Sequence, residues 1–238
     1  MHEVFAQTLP AVDITQVKCV QGFEKIQAEY PVYLSDESKM SAKPFEYLYF
    51  PKSEEELAAV VREMGRRKIK ITIASARTGL AGGCVPMEGA LVSLEYLDKV
   101  EAIHYEPSSA EWRVVAQNSV SLKALEGMLR TKHFPHLEQS ADERVRCEYL
   151  QFKNDPDGYF YPPDPTEMSA ALGGSVVTNA SGARTYRYGP TRAWVRGIRV
   201  MLANGEILDI PRGKYFASPA GQFVIWDSQG QAFSIPVP

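Results

Sequence analysis

The segment that most restricts the fold is residues 71–86, which begins as a strand and continues as a run of small residues. Ile69, Ile71 and Ile73 alternate with polar residues, a pattern typical of a half-buried β-strand. The small residues that follow are Ala74, Ser75, Ala76, Thr78, Gly79, Ala81, Gly82 and Gly83. Such a loop lets the backbone approach a ligand, and its N–H groups can converge on an anion. We predict a pyrophosphate site here, although the residues alone leave a plain strand connection open.

A βαβ unit leads into this loop. Tyr47–Phe50 is a predicted strand, and Ser53 with Glu56 forms a capping box for the helix that follows. The apolar residues of that helix repeat with helical spacing, which predicts one buried face. The strand at residues 69–73 then completes the unit.

Composition excludes several classes of function. The net charge of −3 gives no basis for a nucleic-acid partner, and no apolar run reaches the length of a membrane span. Cys19, Cys84 and Cys147 are odd in number and far apart, so they predict free thiols rather than disulfides or a metal site. His133 and His136 lack the Cys or carboxylate that would complete a metal site, so no metal is predicted. We expect a cytoplasmic protein and leave peripheral association with the inner membrane open.

The remaining segments carry weaker patterns. Residues 1–44 are predicted to be a polar N-terminal segment, and residues 138–160 an irregular segment rich in charged residues. Asn118 is expected to adopt a left-handed turn conformation, which Asn tolerates better than most residues. The Asn204-Gly205 pair predicts a two-residue type I′ hairpin.

A second informative stretch covers residues 161–182. Thr166 is expected to cap a single helical turn that closes at Gly173, and Gly174 leaves room above the backbone for a flat group. Residues 178–182 form another turn of small residues. Instead of binding a ligand, Gly173 and Gly174 could serve only as a helix C-cap followed by a turn.

These stretches together resemble the FAD-binding domain of the vanillyl-alcohol-oxidase and p-cresol-methylhydroxylase superfamily. The resemblance extends from about residue 45 to 210, and the branch it matches best is the FAD-linked oxidases of the D-lactate dehydrogenase and glycolate oxidase type. The motifs that carry it, in order, are Phe50-Pro-Lys-Ser-Glu-Glu-Glu-Leu57, Ser75-Ala-Arg-Thr-Gly-Leu-Ala-Gly-Gly-Cys-Val-Pro86, Pro163-Asp-Pro165, Leu172-Gly-Gly174, Thr178-Asn-Ala-Ser-Gly182, Tyr188-Gly189 and Asn204-Gly-Glu206.

The resemblance implies an α+β fold in which two subdomains hold FAD between them. It places an N-terminal extension at residues 1–44 and the FAD-binding domain at 45–238. The subdomains would cover about 45–118 and about 119–238. The family's substrate-covering cap domain would be absent, and the FAD-binding domain would be incomplete at its C-terminus.

The resemblance also implies which residues bind FAD. Family loops usually run Gly-Gly-Gly-Thr where this sequence has Ser75-Ala76-Arg77-Thr78, so Arg77 either supplies a charge to the phosphates or packs outward. Family members with covalent flavin often carry a His where Thr78 stands, so non-covalent FAD is expected. No catalytic residue is assigned. The implied FAD-binding residues are Ser75, Ala76, Arg77, Thr78, Gly79, Gly83, Cys84, Pro163, Asp164, Gly173, Gly174, Ala180, Ser181, Gly182 and Ile198.

The implied activity is oxidation of a 2-hydroxy acid, such as D-lactate or glycolate, by hydride transfer to the flavin, with an unknown electron acceptor. A second hypothesis is a non-catalytic, truncated remnant, or a subunit that needs a partner chain to supply the substrate domain.

Overall fold

The computed structural model describes residues 3–163 and 166–236, which form a mixture of short sheets and helices. Within these residues no helix is both long and apolar enough to cross a bilayer. In chain order the elements are β1 (Val4–Phe5), β2 (Gln7–Thr8), β3 (Lys18–Gln21), α1 (Phe23–Glu29), β4 (Tyr47–Phe50), α2 (Glu54–Arg66), β5 (Ile71–Ala74), β6 (Ala90–Ser93), β7 (Val100–Glu106), β8 (Glu111–Ala116), α3 (Leu122–Thr131), α4 (Pro135–Glu138), α5 (Glu143–Asn154), α6 (Leu172–Val177), α7 (Thr185–Tyr188), β9 (Gly197–Met201), β10 (Glu206–Pro211), β11 (Gln222–Trp226) and β12 (Ala232–Pro236).

The first sheet has the order β3-β4-β6-β5, in which β4, β6 and β5 are parallel and β3 is antiparallel to β4. Every residue of β4 and β6 is buried, as expected for parallel strands covered on both faces. Val60 and Met64 of α2 pack on one face. Ile26 and Tyr33, which precede the predicted domain, pack in the cluster that contains Leu48 and Leu91.

The second layer is the antiparallel hairpin β7–β8, packed against α3, α4 and α5. The prediction of an irregular segment at residues 138–160 was wrong, because α5 occupies most of it. Asp142 caps this helix by accepting hydrogen bonds from the N–H groups of Arg144 and Val145. Tyr149 and Phe152 are fully buried among the other apolar residues of this layer. Most other positions of α5 are polar, so its buried face carries a weak sequence signal.

Two further sheets complete the fold. In one, β10 pairs with β9 and with β2; in the other, β11 pairs with β12 and with β1. The first 44 residues therefore contribute strands to three sheets. The boundaries predicted for the extension and the two subdomains stay a prediction.

The hairpin between β9 and β10 differs in type from the prediction. Gly205 has a φ of +77°, but Asn204 is not left-handed, so the turn is not type I′. The Gly205 N–H donates to the Leu202 carbonyl and the Leu202 N–H donates to the Glu206 carbonyl, which closes a three-residue loop. The loop packs on α2, where a Cβ on Gly205 would lie 2.7 Å from Arg62 Cγ and 3.0 Å from the Ala58 carbonyl oxygen.

Candidate functional site

The small-residue loop begins where β5 ends, at the carboxyl edge of the parallel strands. This edge is where open α/β sheets bind ligands. Ala74 is the last buried residue of β5, while Gly79, Leu80, Ala81 and Gly83 are exposed.

The glycines of this loop fall into two kinds. Gly82 has a φ of +71°, and a Cβ there would overlap the Met40 sulfur, so the local structure itself requires glycine. Gly79 and Gly83 have no left-handed backbone, and apart from the adjoining residues no atom of the described residues lies within 4 Å of an added Cβ. Nothing in the packing requires glycine at these two positions. Close approach of a ligand to the backbone would account for them.

The segment at residues 31–42 lies beneath the loop. The Tyr33 ring lies under the Arg77 guanidinium, whose Cζ is 4.3 Å from the ring centroid. The Tyr33 hydroxyl donates to Glu95, and burial together with this contact raises the pKa of Tyr33 to about 12. Tyr33 therefore stays neutral at physiological pH.

Cys84, at the end of the loop, is tied to the same segment. Its thiol donates to Asp36 Oδ2 at 3.4 Å. Burial raises the pKa of Cys84 to about 11, and the neighbouring Asp36 carboxylate adds to this effect. The structure thus places Cys84 beside the loop as a protonated thiol.

The second glycine pair begins a helix rather than ending one. The expectation that Thr166 starts a helical turn closing at Gly173 was wrong, because α6 starts at Leu172 with Ala171 as its N-cap. The C-cap alternative is excluded for the same reason. Gly174 is exposed, and an added Cβ would have no neighbour within 4 Å among the described residues.

A close contact with Asn118 explains why position 173 is glycine. Its N–H donates to the Asn118 carbonyl at 2.8 Å. A Cβ on Gly173 would lie 2.6 Å from Asn118 Cγ and 3.1 Å from Asn118 Cα. Asn118 does not have the left-handed backbone that was predicted; its role is to fit closely against the first turn of α6.

Residues 118 and 119 join the two glycine-bearing segments. Ser119 Oγ is 2.5 Å from Ser75 Oγ, at the start of the loop, and Asn118 contacts Gly173. The two segments, about a hundred residues apart in sequence, therefore lie on either side of one short connection. No local pattern predicts a role in the site for Tyr33, Asn118 or Ser119, because each contacts a partner that is distant in the chain.

The small-residue turn after α6 is stabilised by hydrogen bonds to the segment that precedes β9. Thr191 Oγ1 donates to the Ala180 carbonyl at 2.8 Å, and the Gly182 N–H donates to Thr185 Oγ1 at 2.8 Å. Ser181 is exposed. This turn follows α6 directly, so it continues the second glycine-bearing segment.

The other predicted site residues are less closely connected. Ile198 lies on β9, paired with Ile210, and no side-chain hydrogen bond of the described residues joins it to either segment. Pro163 is buried, and Asp164 lies outside the described residues. Two surface clefts, one beside Phe45 and the other beside Glu206, contain no predicted site residue. Gly79, Gly83 and Gly174 are exposed, so the site lies on an open face of the protein.

Apolar side chains flank this open face. Leu80 in the loop, Val177 at the end of α6 and Tyr186 in α7 are all largely exposed.

The described histidines lie elsewhere. His104 is on β7 in contact with Glu148, and His133 lies 3.9 Å from Glu138 beside α4. Among the described residues no three His, Cys, Asp or Glu side chains are grouped so that they could hold a metal ion.

The geometry fits a nucleotide cofactor that carries phosphates. Gly79, Gly83 and Gly174 each leave open space where a side chain would stand, on segments that the fold brings together. Arg77 adds a positive charge to the loop. Exposed backbone N–H groups and a cation are the groups that phosphate oxygens require.

Comparison with known proteins agrees with this geometry. The family model for the FAD binding domain matches residues 45–145 and 145–211, well over half of the chain. A D-lactate dehydrogenase of Anaerostipes hadrus is 36% identical over 170 residues, covering 71% of this chain and 30% of the relative. A D-2-hydroxyglutarate dehydrogenase of Xanthomonas citri pv. viticola is 32% identical over 162 residues, covering 67% of this chain and 28% of the relative. The chain thus spans about a third of the length of these relatives.

Solved structures share the fold at low identity. 6-Hydroxy-D-nicotine oxidase from Arthrobacter nicotinovorans superimposes with a TM-score of 0.59 at 12% identity, over 87% of this chain and 38% of that one. An alkyldihydroxyacetonephosphate synthase gives a TM-score of 0.55 at 15% identity, over 88% of this chain and 38% of that one. The predicted α+β, p-cresol-methylhydroxylase-type fold is confirmed. The chain belongs to the FAD-binding domain family of the FAD-linked oxidases, and its cofactor is FAD.

Proposed function

We propose that this chain binds FAD non-covalently across the two glycine-bearing segments. We further propose that it forms the flavin-binding part of an oxidoreductase acting on a 2-hydroxy acid such as D-lactate or glycolate. The main support for this binding site is the open space at Gly79, Gly83 and Gly174. The two segments that bear these glycines are joined through contacts of Ser75 with Ser119 and of Gly173 with Asn118. The dehydrogenase relatives support the substrate class.

The residues of the chain act mainly by binding and orienting. The loop after β5 presents backbone N–H groups and the Arg77 guanidinium to the pyrophosphate. The glycines at positions 83 and 174 allow close approach of the nucleotide to the backbone, and the 178–182 turn extends the same surface. FAD, when bound, supplies the redox chemistry, while the protein supplies position and electrostatics.

Reconstitution tests FAD binding. The purified chain, mixed with FAD and freed of excess by gel filtration, should be yellow and retain flavin in equimolar amount. Acid precipitation should then release the flavin into the supernatant, because Thr78 offers no covalent attachment. A colourless protein would contradict the proposal, and flavin retained in the precipitate would contradict its non-covalent form.

Glycine variants test the location. Gly83→Ala and Gly174→Ala should each weaken FAD binding about tenfold or more, because the added methyl occupies space reserved for the cofactor. Gly127→Ala is the matched control, since Gly127 in α3 also has no neighbour within 4 Å of an added Cβ. It should leave the dissociation constant of FAD unchanged. Equal affinity in all three variants would exclude this face as the site.

A second proposal is that the chain binds flavin without turnover unless another polypeptide completes the substrate site. The exposed apolar residues Leu80, Val177 and Tyr186 beside the site favour it. Dye reduction by the reconstituted chain with D-lactate, glycolate and D-2-hydroxyglutarate separates the two proposals. Turnover of any of these acids by the chain alone would exclude the second.

A further inference from the structure

Arg77 has a backbone conformation that favours glycine. Its φ is +56°, where an L side chain is strained, and the resemblance places a family glycine in this part of the loop. Its guanidinium lies over the Tyr33 ring at 4.3 Å, and Nη1 donates to the Ser75 carbonyl at 3.2 Å. The side chain therefore does not pack freely outward; it is held in one place by an aromatic face and by its own loop.

In the part of the chain that the structure describes, the Arg77 guanidinium forms no ion pair. Among the described residues, no carboxylate oxygen lies within the 4.0 Å of an ion pair from this guanidinium. Glu95 accepts from the Tyr33 hydroxyl and from Ser93 Oγ, the latter at 3.2 Å. An unpaired, partly buried cation in a phosphate-binding loop is available to an anionic ligand.

The support under the loop comes from outside the span that the family model matches. Tyr33 contacts Arg77, Asp36 accepts from the Cys84 thiol, and Met40 fills the space beside Gly82. These three residues precede residue 45, where the family match begins. The N-terminal segment thus fixes the loop at three points along its length.

We propose that Tyr33 is a positioning residue of the FAD site, whose ring holds the Arg77 guanidinium as a fixed positive charge for the cofactor's pyrophosphate. This inference rests on the proposed function, because it assigns a task within FAD binding. Arg77 touches the cofactor, whereas Tyr33 acts through Arg77.

Titration of the apo chain with FAD, followed by flavin fluorescence, tests the inference. Arg77→Gln removes the charge and should weaken binding about tenfold and flatten its salt dependence. Tyr33→Leu should weaken binding by a similar factor, while Tyr33→Phe, which keeps the ring, should stay within about twofold of the wild type. Adding Tyr33→Leu to Arg77→Gln should cause no further loss, because the contact is already gone.

Arg67→Gln is the matched control. Arg67 also lies over a tyrosine ring, 4.9 Å from the centroid of Tyr47, but at the end of α2. Its loss should leave FAD affinity and salt dependence unchanged. Thermal melting of each apo variant checks that the chain is folded.

Three outcomes would overturn the inference. One is FAD affinity in Arg77→Gln equal to that of the wild type. This measurement is valid whether or not the Tyr33→Leu variant folds. Another is an equal loss from Tyr33→Leu with and without Arg77, which would make Tyr33 a purely structural residue. The third is a loss in Arg67→Gln as large as in Arg77→Gln. Absence of FAD binding by the wild type would instead contradict the proposed function itself.

Discussion

Adjacent glycines in this protein are present for different physical reasons. The fold itself favours glycine at position 82, through a left-handed backbone with φ of +71°, and at position 173, through the close contact with Asn118. Gly83 and Gly174, next to them in the chain, face open space. A neighbouring pair therefore combines one glycine needed by the fold with one that we assign to the ligand.

This difference predicts opposite results for two adjacent substitutions. Gly173→Ala should lower the free energy of unfolding of the apo chain by about 1–3 kcal/mol, because its methyl would overlap Asn118 in a close-packed contact. Gly174→Ala should leave apo stability nearly unchanged. Denaturant titration of the two apo variants measures both values. Equal stabilities would show that the first turn of α6 adjusts freely around Asn118.

Cys84 should react slowly with alkylating agents despite its position in the loop. Because only the thiolate reacts, and the pKa of Cys84 is raised to about 11, its thiol remains protonated near neutral pH. Mass spectrometry of iodoacetamide-treated protein at pH 7.5 should find exposed Cys147 modified well before Cys84. Asp36→Asn removes a carboxylate that raises the pKa and should speed the reaction. Reaction of Cys84 as fast as Cys147 would contradict this environment.

At the scale of elements, α5 supports the hairpin β7–β8 from one side. Phe152 has no exposed surface and makes edge contacts with Trp112 and Phe134, at centroid distances of 5.1 Å and 5.7 Å. The helix is thus fixed to the second layer by aromatic packing.

Phe152→Ala should reduce the free energy of unfolding by about 3–5 kcal/mol, the range for emptying a buried aromatic site. Leu150→Ala, at a position that is 51% exposed on the same helix, is the control and should cost far less. Chemical denaturation measures the difference between the variants. Similar losses would mean that α5 is not packed as the structure shows.

Ion pairs connect elements of this protein that are far apart in sequence. Arg196, just before β9, pairs with Glu111 of β8 at 2.8 Å, and Arg199 of β9 pairs with Glu54 of α2 at 3.0 Å. The β9–β10 hairpin is thereby tied to both of the other layers.

The pair with Glu111 predicts acid sensitivity. The hydrogen bond from Arg196 lowers the pKa of Glu111 below the ordinary glutamate value of 4.5, more than burial raises it. A carboxylate with a lowered pKa in the folded state contributes stability above its unfolded pKa, and this contribution is lost as pH falls through the folded pKa. The melting temperature should therefore decline less steeply below pH 4.5 in Glu111→Gln than in the wild type. An unchanged slope would show that this pair does not contribute.

Much of the first sheet could be predicted from local patterns. The strand at Tyr47–Phe50 and the helix capped by Ser53 are confirmed, since their signals lie within a few residues of each other. Ser121 likewise caps α3 through a local hydrogen bond, accepted from the Ala124 N–H. The helix α5, the start of α6 and the turn at Gly205 were predicted wrongly, because tertiary contacts outweigh weak local preferences there.

Local turn chemistry, helix caps and apolar periodicity were enough to predict the βαβ unit and its glycine-bearing loop, because these signals lie within a few residues of each other. The family and the cofactor were implied by the resemblance of the ordered motifs to known FAD-binding domains. Three contacts became known from the folded protein alone: Ser75 with Ser119, Gly173 with Asn118, and Tyr33 with Arg77. Each of these contacts joins residues more than forty positions apart. Their formation depends on how separate layers pack, and no pattern within one segment specifies it.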